Sequence, residues 1–183
     1  MARLIVLNGP PGVGKSTLAR RYVDEHPFAL DLDLDSLRRL LGGWSADVAR
    51  AGLLARSLSL GMAREHLAAG YDVVVPQYLG RTEFLDETAQ VAADAGADFH
   101  EFVLTDNRDE IVRRFNERTA TSSDPAHADA GRLIASLGGD DALFAICDRL
   151  LLLTAARAGA CVLPCPDGDA DEVYAEIMKR IER

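Results

Sequence analysis

Gly9-Pro10-Pro11-Gly12-Val13-Gly14-Lys15-Ser16-Thr17 puts three glycines, a lysine and two hydroxyls into one short stretch. The stretch completes the pattern G-x-x-x-x-G-K-[ST], whose chemistry is phosphate binding. Glycines let successive backbone N–H groups turn inward toward an anion. A helix starting behind them adds partial positive charge. Lys15 can reach the outer phosphates of a nucleoside triphosphate, Ser16 can join Mg²⁺, and Thr17 can support it. ATP with Mg²⁺ is therefore the expected cofactor, held by Gly9, Pro10, Pro11, Gly12, Val13, Gly14, Lys15, Ser16 and Thr17.

A second cluster follows. Leu30, Asp31, Leu32, Asp33, Leu34 and Asp35 alternate, which in a strand sends leucines to one face and aspartates to the other. Like charges so arrayed need a metal, a basic group or a substrate hydroxyl against them. Asp33 is a candidate Mg²⁺ ligand. Asp35 is either a helix N-cap or a group acting on an acceptor. Downstream, Arg114 and Arg118 stand four apart, on one face of a helix. By spacing alone they read as the charged face of an exposed amphipathic helix. Arg113 faces elsewhere.

These residues need a scaffold. Arg3 to Leu7 reads as a buried parallel strand and Lys15 to His26 as a helix stopped by Pro27. Phe28 to Asp33 reads as a second strand and Asp35 to Leu41 as a short helix. Ala46 to Ala69 is helical with a possible break at Gly52. Asp72 to Pro76, Phe99 to Leu104 and Ala160 to Leu163 are further strands. Thr82 to Ala95, Arg108 to Thr119, Asp141 to Ala158 and Asp169 to Arg183 are helices. Ala120 to Gly131 reads as a mobile loop. The alternation implies a parallel sheet covered on both faces in a single domain spanning residues 1–183.

Composition excludes several classes. The chain has 183 residues and a net charge of −9, so a nucleic-acid partner, which needs clustered Lys and Arg, is not expected. No apolar run approaches a membrane span. Cys147, Cys161 and Cys165 form no metal-binding pattern and read as reduced thiols of a cytoplasmic protein. The four histidines share no metal spacing. Thr105-Asp106-Asn107-Arg108 lacks the base-reading motif of a GTPase. Val75-Pro76-Gln77 lacks the acid that a motor ATPase carries at a strand end.

The phosphate loop followed by Asp35-Ser36-Leu37-Arg38 resembles the small P-loop kinases that include chloramphenicol phosphotransferase and the polynucleotide 5′-hydroxyl kinase module. The resemblance implies an adenylate-kinase-like, three-layer α/β domain with a five-stranded parallel sheet in the order 2-3-1-4-5. It implies that Asp35 is the base for an acceptor hydroxyl and that Arg38 holds substrate. It also implies that Arg114 and Arg118 lead into a lid at about 115–140 that closes on the phosphates, with Lys15, Asp35 and Arg118 catalytic. Trp44 could line an acceptor pocket or pack in the core. Gln77 lies past a strand's carboxyl end, where open α/β sheets bind ligands. It stands where many relatives carry an acid, which leaves Mg²⁺ to Ser16, Asp33 or water. The expected reaction is transfer of the γ-phosphoryl group of ATP to a hydroxyl of a small molecule such as an antibiotic, sugar or metabolite. A nucleotide or polynucleotide 5′-hydroxyl acceptor is the alternative, and a nucleotide-gated binding module without an acceptor is a third reading.

Overall fold

Apolar β-branched runs become the strands of one parallel sheet, and the longer amphipathic segments between them cover it. A computed structural model of the chain describes residues 1–123, 125–166 and 169–182. Its elements are β1 (Arg3–Asn8), α1 (Lys15–Glu25), β2 (Leu30–Asp31), α2 (Leu34–Arg39), a 3-10 turn (Trp44–Ala46) and α3 (Val48–Ala68). They continue with β3 (Val73–Pro76), α4 (Glu83–Asp94), β4 (Asp98–Thr105), α5 (Arg108–Thr121), α6 (Pro125–Ser136), α7 (Asp140–Ala155), β5 (Cys161–Pro164) and α8 (Ala170–Ile181). The parallel strands lie in the order β2-β3-β1-β4-β5, the order implied by the resemblance.

The period-two pattern of β1 builds two cores. Ile5 and Leu7 face α1 and α8, packing with Leu18, Tyr22, Val173 and Ile177. Leu4 and Val6 face the opposite layer and pack with Ala63, Leu67, Phe84 and Val91 from α3 and α4. A third, smaller apolar cluster joins α5, α6 and α7 through Val112, Phe115, Ile134 and Leu143. No helix among the described residues is long and apolar enough to cross a membrane.

Several expectations change. The second strand is only Leu30–Asp31, because the chain turns at Phe28 with a left-handed φ of 65°. At the other end Asp33 leaves the strand to cap α2, accepting from the Asp35 amide at 3.0 Å and the Ser36 hydroxyl at 2.7 Å. Asp33, not Asp35, is therefore the N-cap, and the three aspartates do not share a strand face. Asp31 alone lies on the strand, while Asp35 sits in the first turn of α2. Gly52 does not break α3, which runs unbroken from Val48 to Ala68. The segment expected as a loop over 120–131 is largely helical. α5 extends to Thr121, and α6 begins at Pro125, where proline suits a first turn. Asp124 of that expected loop, and Arg183 at the end of the expected last helix, lie outside the described residues.

Far from the phosphate loop, a buried acid ties β4 to the helices behind it. Glu101 on β4 is 5% exposed and accepts from Arg157 Nε at 2.8 Å, and Arg157 also bridges Asp86 of α4 at 2.7 Å. Removing one partner of a buried pair costs more than the pair itself contributes, because the other charge is stranded. Arg157→Ala is expected to destabilise the protein by about 3 kcal/mol. Asp86→Ala, at an exposed partner, should cost less than about 1 kcal/mol. Urea unfolding of both variants checks this, and equal losses would show that the buried acid is not what the arginine serves.

Candidate active site

The phosphate loop joins β1 to α1, and its glycines are required by contact as well as by conformation. Gly12 and Gly14 have φ of 89° and 103°, in the left-handed region that side chains avoid. A Cβ on Gly9 would lie 2.7 Å from Val13 Cγ1 and 2.9 Å from the Leu104 carbonyl oxygen, and one on Gly12 would lie 3.2 Å from the Phe115 amide nitrogen. Gly9 thus packs on β4, and Gly12 lets the backbone of α5 close on the loop.

Lys15 opens α1 and folds back over the loop. Its ammonium donates to the carbonyls of Gly9 and Pro10, both at 2.9 Å. Its pKa is lowered from 10.5 to about 8, chiefly because burial penalises the cation. The negative charge of Asp35 opposes the shift, the nearby Arg118 guanidinium adds to it, and Asp33 opposes it. Ser16 and Thr17 are exposed on the first turn of α1, and no acid there weakens the positive end of the helix. A glycine loop at positive φ, a lysine ammonium held over it and open hydroxyls fit a nucleotide's phosphates with Mg²⁺.

Asp33 and Asp35 reach the same electrostatic neighbourhood from α2. The Asp35 carboxyl has a raised pKa: burial is the largest cause, the Arg38 cation opposes it, and the Asp33 charge adds to it. Arg38 pairs with Asp35 at 3.0 Å and places its guanidinium 5.3 Å from the centre of the Trp44 ring. Asp35, Arg38 and Trp44 thus form one contiguous group, and Arg38 Nε is buried without a partner. The Gln77 backbone N–H donates to the Leu7 carbonyl at 3.1 Å, and its side-chain Oε1 is buried without a partner. Asp31 is separate: its carboxyl is pushed up to about 6 by burial and by the Asp33 charge.

The two α5 arginines differ. Arg114 is ion-paired with Asp106 and donates twice to the Cys165 carbonyl at 3.2 Å. It binds the loops after β4 and β5 to α5. Arg118, one turn on, is half-buried and close enough to Lys15 to perturb it.

Sequence reasoning missed Asn8 and Cys165. Asn8 is fully buried. Its Oδ1 accepts from the Gly9 and Leu79 amides at 2.8 and 2.9 Å, and its Nδ2 donates to the Leu79 carbonyl at 3.1 Å. One side chain therefore clamps the phosphate loop to the segment after β3. The available signal was an amide side chain ending a buried strand. The Cys165 thiol is 3.1 Å from the Val13 carbonyl, a contact with no signal beyond a thiol after a short apolar run.

A protein family described as an AAA domain matches residues 4–138. The chain belongs to this family. No curated protein matches it. Among solved structures it is similar to the tunicamycin resistance protein of Deinococcus radiodurans, with 18% identity, a TM-score of 0.63 and coverage of 99% of this chain and 96% of that one. It is also similar to the Mycobacterium tuberculosis APS kinase in complex with AMPPNP and APS, with 19% identity, a TM-score of 0.62 and coverage of 100% and 98%. A chain of the Pnkp1/Rnl/Hen1 RNA repair complex matches at 17% identity and a TM-score of 0.67, over 86% of this chain and 47% of that one. At these identities the likeness is one of fold.

Two measurements test the site. Phosphate binding should return Lys15 toward full protonation, so the complex holds more protons than the free protein above the free pKa. Affinity for a non-hydrolysable ATP analogue is therefore expected to be flat below about pH 8 and to fall above it by up to about tenfold per pH unit. Calorimetric titration across that range checks the sign, and a flat profile in the wild type would separate Lys15 from the phosphates. Asn8→Ala strands three backbone groups and should cost at least about 3 kcal/mol in urea unfolding. Asn8→Asp, which keeps the acceptor, should cost less.

Proposed function

We propose that the chain transfers the γ-phosphoryl group of ATP to a hydroxyl of a small-molecule acceptor. The observation that carries this reading is the phosphate loop with the Lys15 ammonium folded over it at 2.9 Å from the Gly9 and Pro10 carbonyls, together with Asp35 held by Arg38 at 3.0 Å on the first turn of α2. The Asp35 carboxylate is half-exposed, open to an acceptor hydroxyl.

Lys15, the loop amides between Gly9 and Gly14, and Arg118 hold and neutralise the donor phosphates, while Arg114, spent on Asp106 and the Cys165 carbonyl, positions the helix that carries Arg118. Ser16 and Asp33 are the residues that would hold Mg²⁺. When bound, the ion neutralises phosphate charge as it builds in the transition state. Asp35 orients the acceptor hydroxyl and takes its proton as the oxygen forms its bond to the γ-phosphorus and the bond to the leaving ADP breaks. Burial makes Asp35 a stronger base than a free carboxylate, and Arg38 keeps it ionised and aimed. Arg38, Trp44 and Gln77 line the acceptor side. The 115–140 segment is the lid, whose closure brings Arg118 onto the transferring group and excludes water.

The small-molecule acceptor is supported by the net charge of −9 and by the likeness to a tunicamycin resistance protein and to a kinase in complex with APS. The likeness to a chain of an RNA repair complex favours a second reading, a polynucleotide 5′-hydroxyl acceptor. Binding that weakens steeply with salt would select it. Screening hydroxyl compounds for ATP-dependent mass gain of one phosphate identifies the acceptor.

With an acceptor in hand, Asp35→Asn is decisive. Asp33 provides the cap, and asparagine can still accept from Arg38, so stability should change by less than about 1 kcal/mol. Turnover should fall by roughly 10²–10⁴-fold with ATP affinity retained, the usual loss of a general base. A stable variant with wild-type turnover would remove Asp35 from the chemistry.

A further inference from the structure

Helix α3 leaves one flank uncovered, and its residues are complementary to themselves. The buried ridge is Ala51, Ala55, Ser59, Ala63 and Leu67, at i, i+4 spacing. Beside it, Leu54 and Leu58 are 49% and 47% exposed, with Leu53 and Met62 at the margins also exposed. Continuing that flank at helical spacing, Arg50 stands one turn before Leu54, and Gly61 and Glu65 follow Leu58. The apolar stretch is thus bounded by a cation at one end and an anion at the other. Neither Arg50 nor Glu65 has an ion-pair partner among the described residues.

Gly61 is unexplained within one chain. It lies mid-helix, where glycine is among the poorest helix formers. It has no left-handed φ, and a Cβ built on it meets nothing within 4 Å. A missing side chain on an exposed flank lets another helix approach closely.

We infer that α3 is a homodimer interface, pairing antiparallel with α3 of a second copy about a two-fold axis that passes between Ser57 and Leu58. In that register Arg50 faces Glu65 of the second copy at both ends, Leu54 seats over Gly61, and Leu58 lies beside Ser57. The symmetry is isologous, as closed dimers require. Apolar centre and charged ends follow the usual division of an interface. One helix flank is a small interface, so the dimer forms in the micromolar range. This pairing is independent of the phosphoryl-transfer reading, because none of its residues is assigned to donor or acceptor.

Sedimentation equilibrium of the full chain, from low to high micromolar concentration, tests it. The wild type should move from monomer to twice the monomer mass. Leu58→Glu should weaken association by at least about 100-fold, at unchanged thermal stability because the residue is exposed. Arg50→Glu should weaken it about tenfold by setting like charges opposite each other, and the double variant Arg50→Glu with Glu65→Arg should restore it. A wild type that stays monomeric throughout overturns the inference. So does a dimer indifferent to Leu58→Glu, or a charge swap that fails to restore Arg50→Glu. Flotation of a monomeric wild type with vesicles would also overturn it, assigning the flank to a membrane surface.

Discussion

The buried ammonium of Lys15 shapes the rest of the site. Burial alone would drive such a group toward neutrality, and its two carbonyl partners carry only partial charges. The pull of Asp35 and Asp33 from across the site keeps the cation from being lost, while Arg118 works against it. The free protein therefore holds a cation that only an anion can fully satisfy. Phosphate groups in the loop would supply that charge, so nucleotide binding corrects an imbalance built into the fold.

The same balance bears on the aspartates. If Asp33 and Asp35 were both free carboxylates, each would make the other harder to ionise. The fold separates their tasks. Asp33 spends its oxygens on the amide of Asp35 and the hydroxyl of Ser36 and so caps the helix it starts. Asp35 has Arg38 for a partner and remains half-buried. Arg38 in turn lies beside Trp44 rather than in open solvent. A cap, a carboxylate, a guanidinium and an indole thus succeed one another along the chain and orient each other from α2 to the 3-10 turn.

The alternation of apolar runs with helical segments was enough to read the sheet, because strands buried on both faces are continuous apolar runs and the crossovers between them are helical. The phosphate loop was legible for a different reason: each of its residue types answers a local need of the backbone. The acidic series misled. Strict alternation predicts a strand, but a side chain able to capture the amide two residues on competes with the ladder, and at Asp33 capture won. The 120–131 segment misled because its Ser, Asp and Pro composition matches a loop, whereas Pro125 serves as a helix start. Asn8 and Cys165 were invisible because their roles depend on Leu79 and Val13, which reach them only through the fold. Arg114 and Arg118 looked equivalent by spacing. Only Asp106 and the Cys165 carbonyl distinguish them.

That difference limits how the site can move. Gly12 brings the Phe115 backbone against the phosphate loop, and Arg114 binds the same part of α5 to the loops after β4 and β5. The first half of α5 is therefore as fixed as the phosphate loop itself. The turn that carries Arg118 and helix α6 lie beyond Phe115. Helix α6 joins α5 and α7 in the apolar cluster of Val112, Phe115, Ile134 and Leu143, separate from the two cores on the sheet, and Gly138 and Gly139, both at positive φ, lie between α6 and α7. Arg114 is ion-paired with Asp106, whereas Arg118 has no ion-pair partner among the described residues.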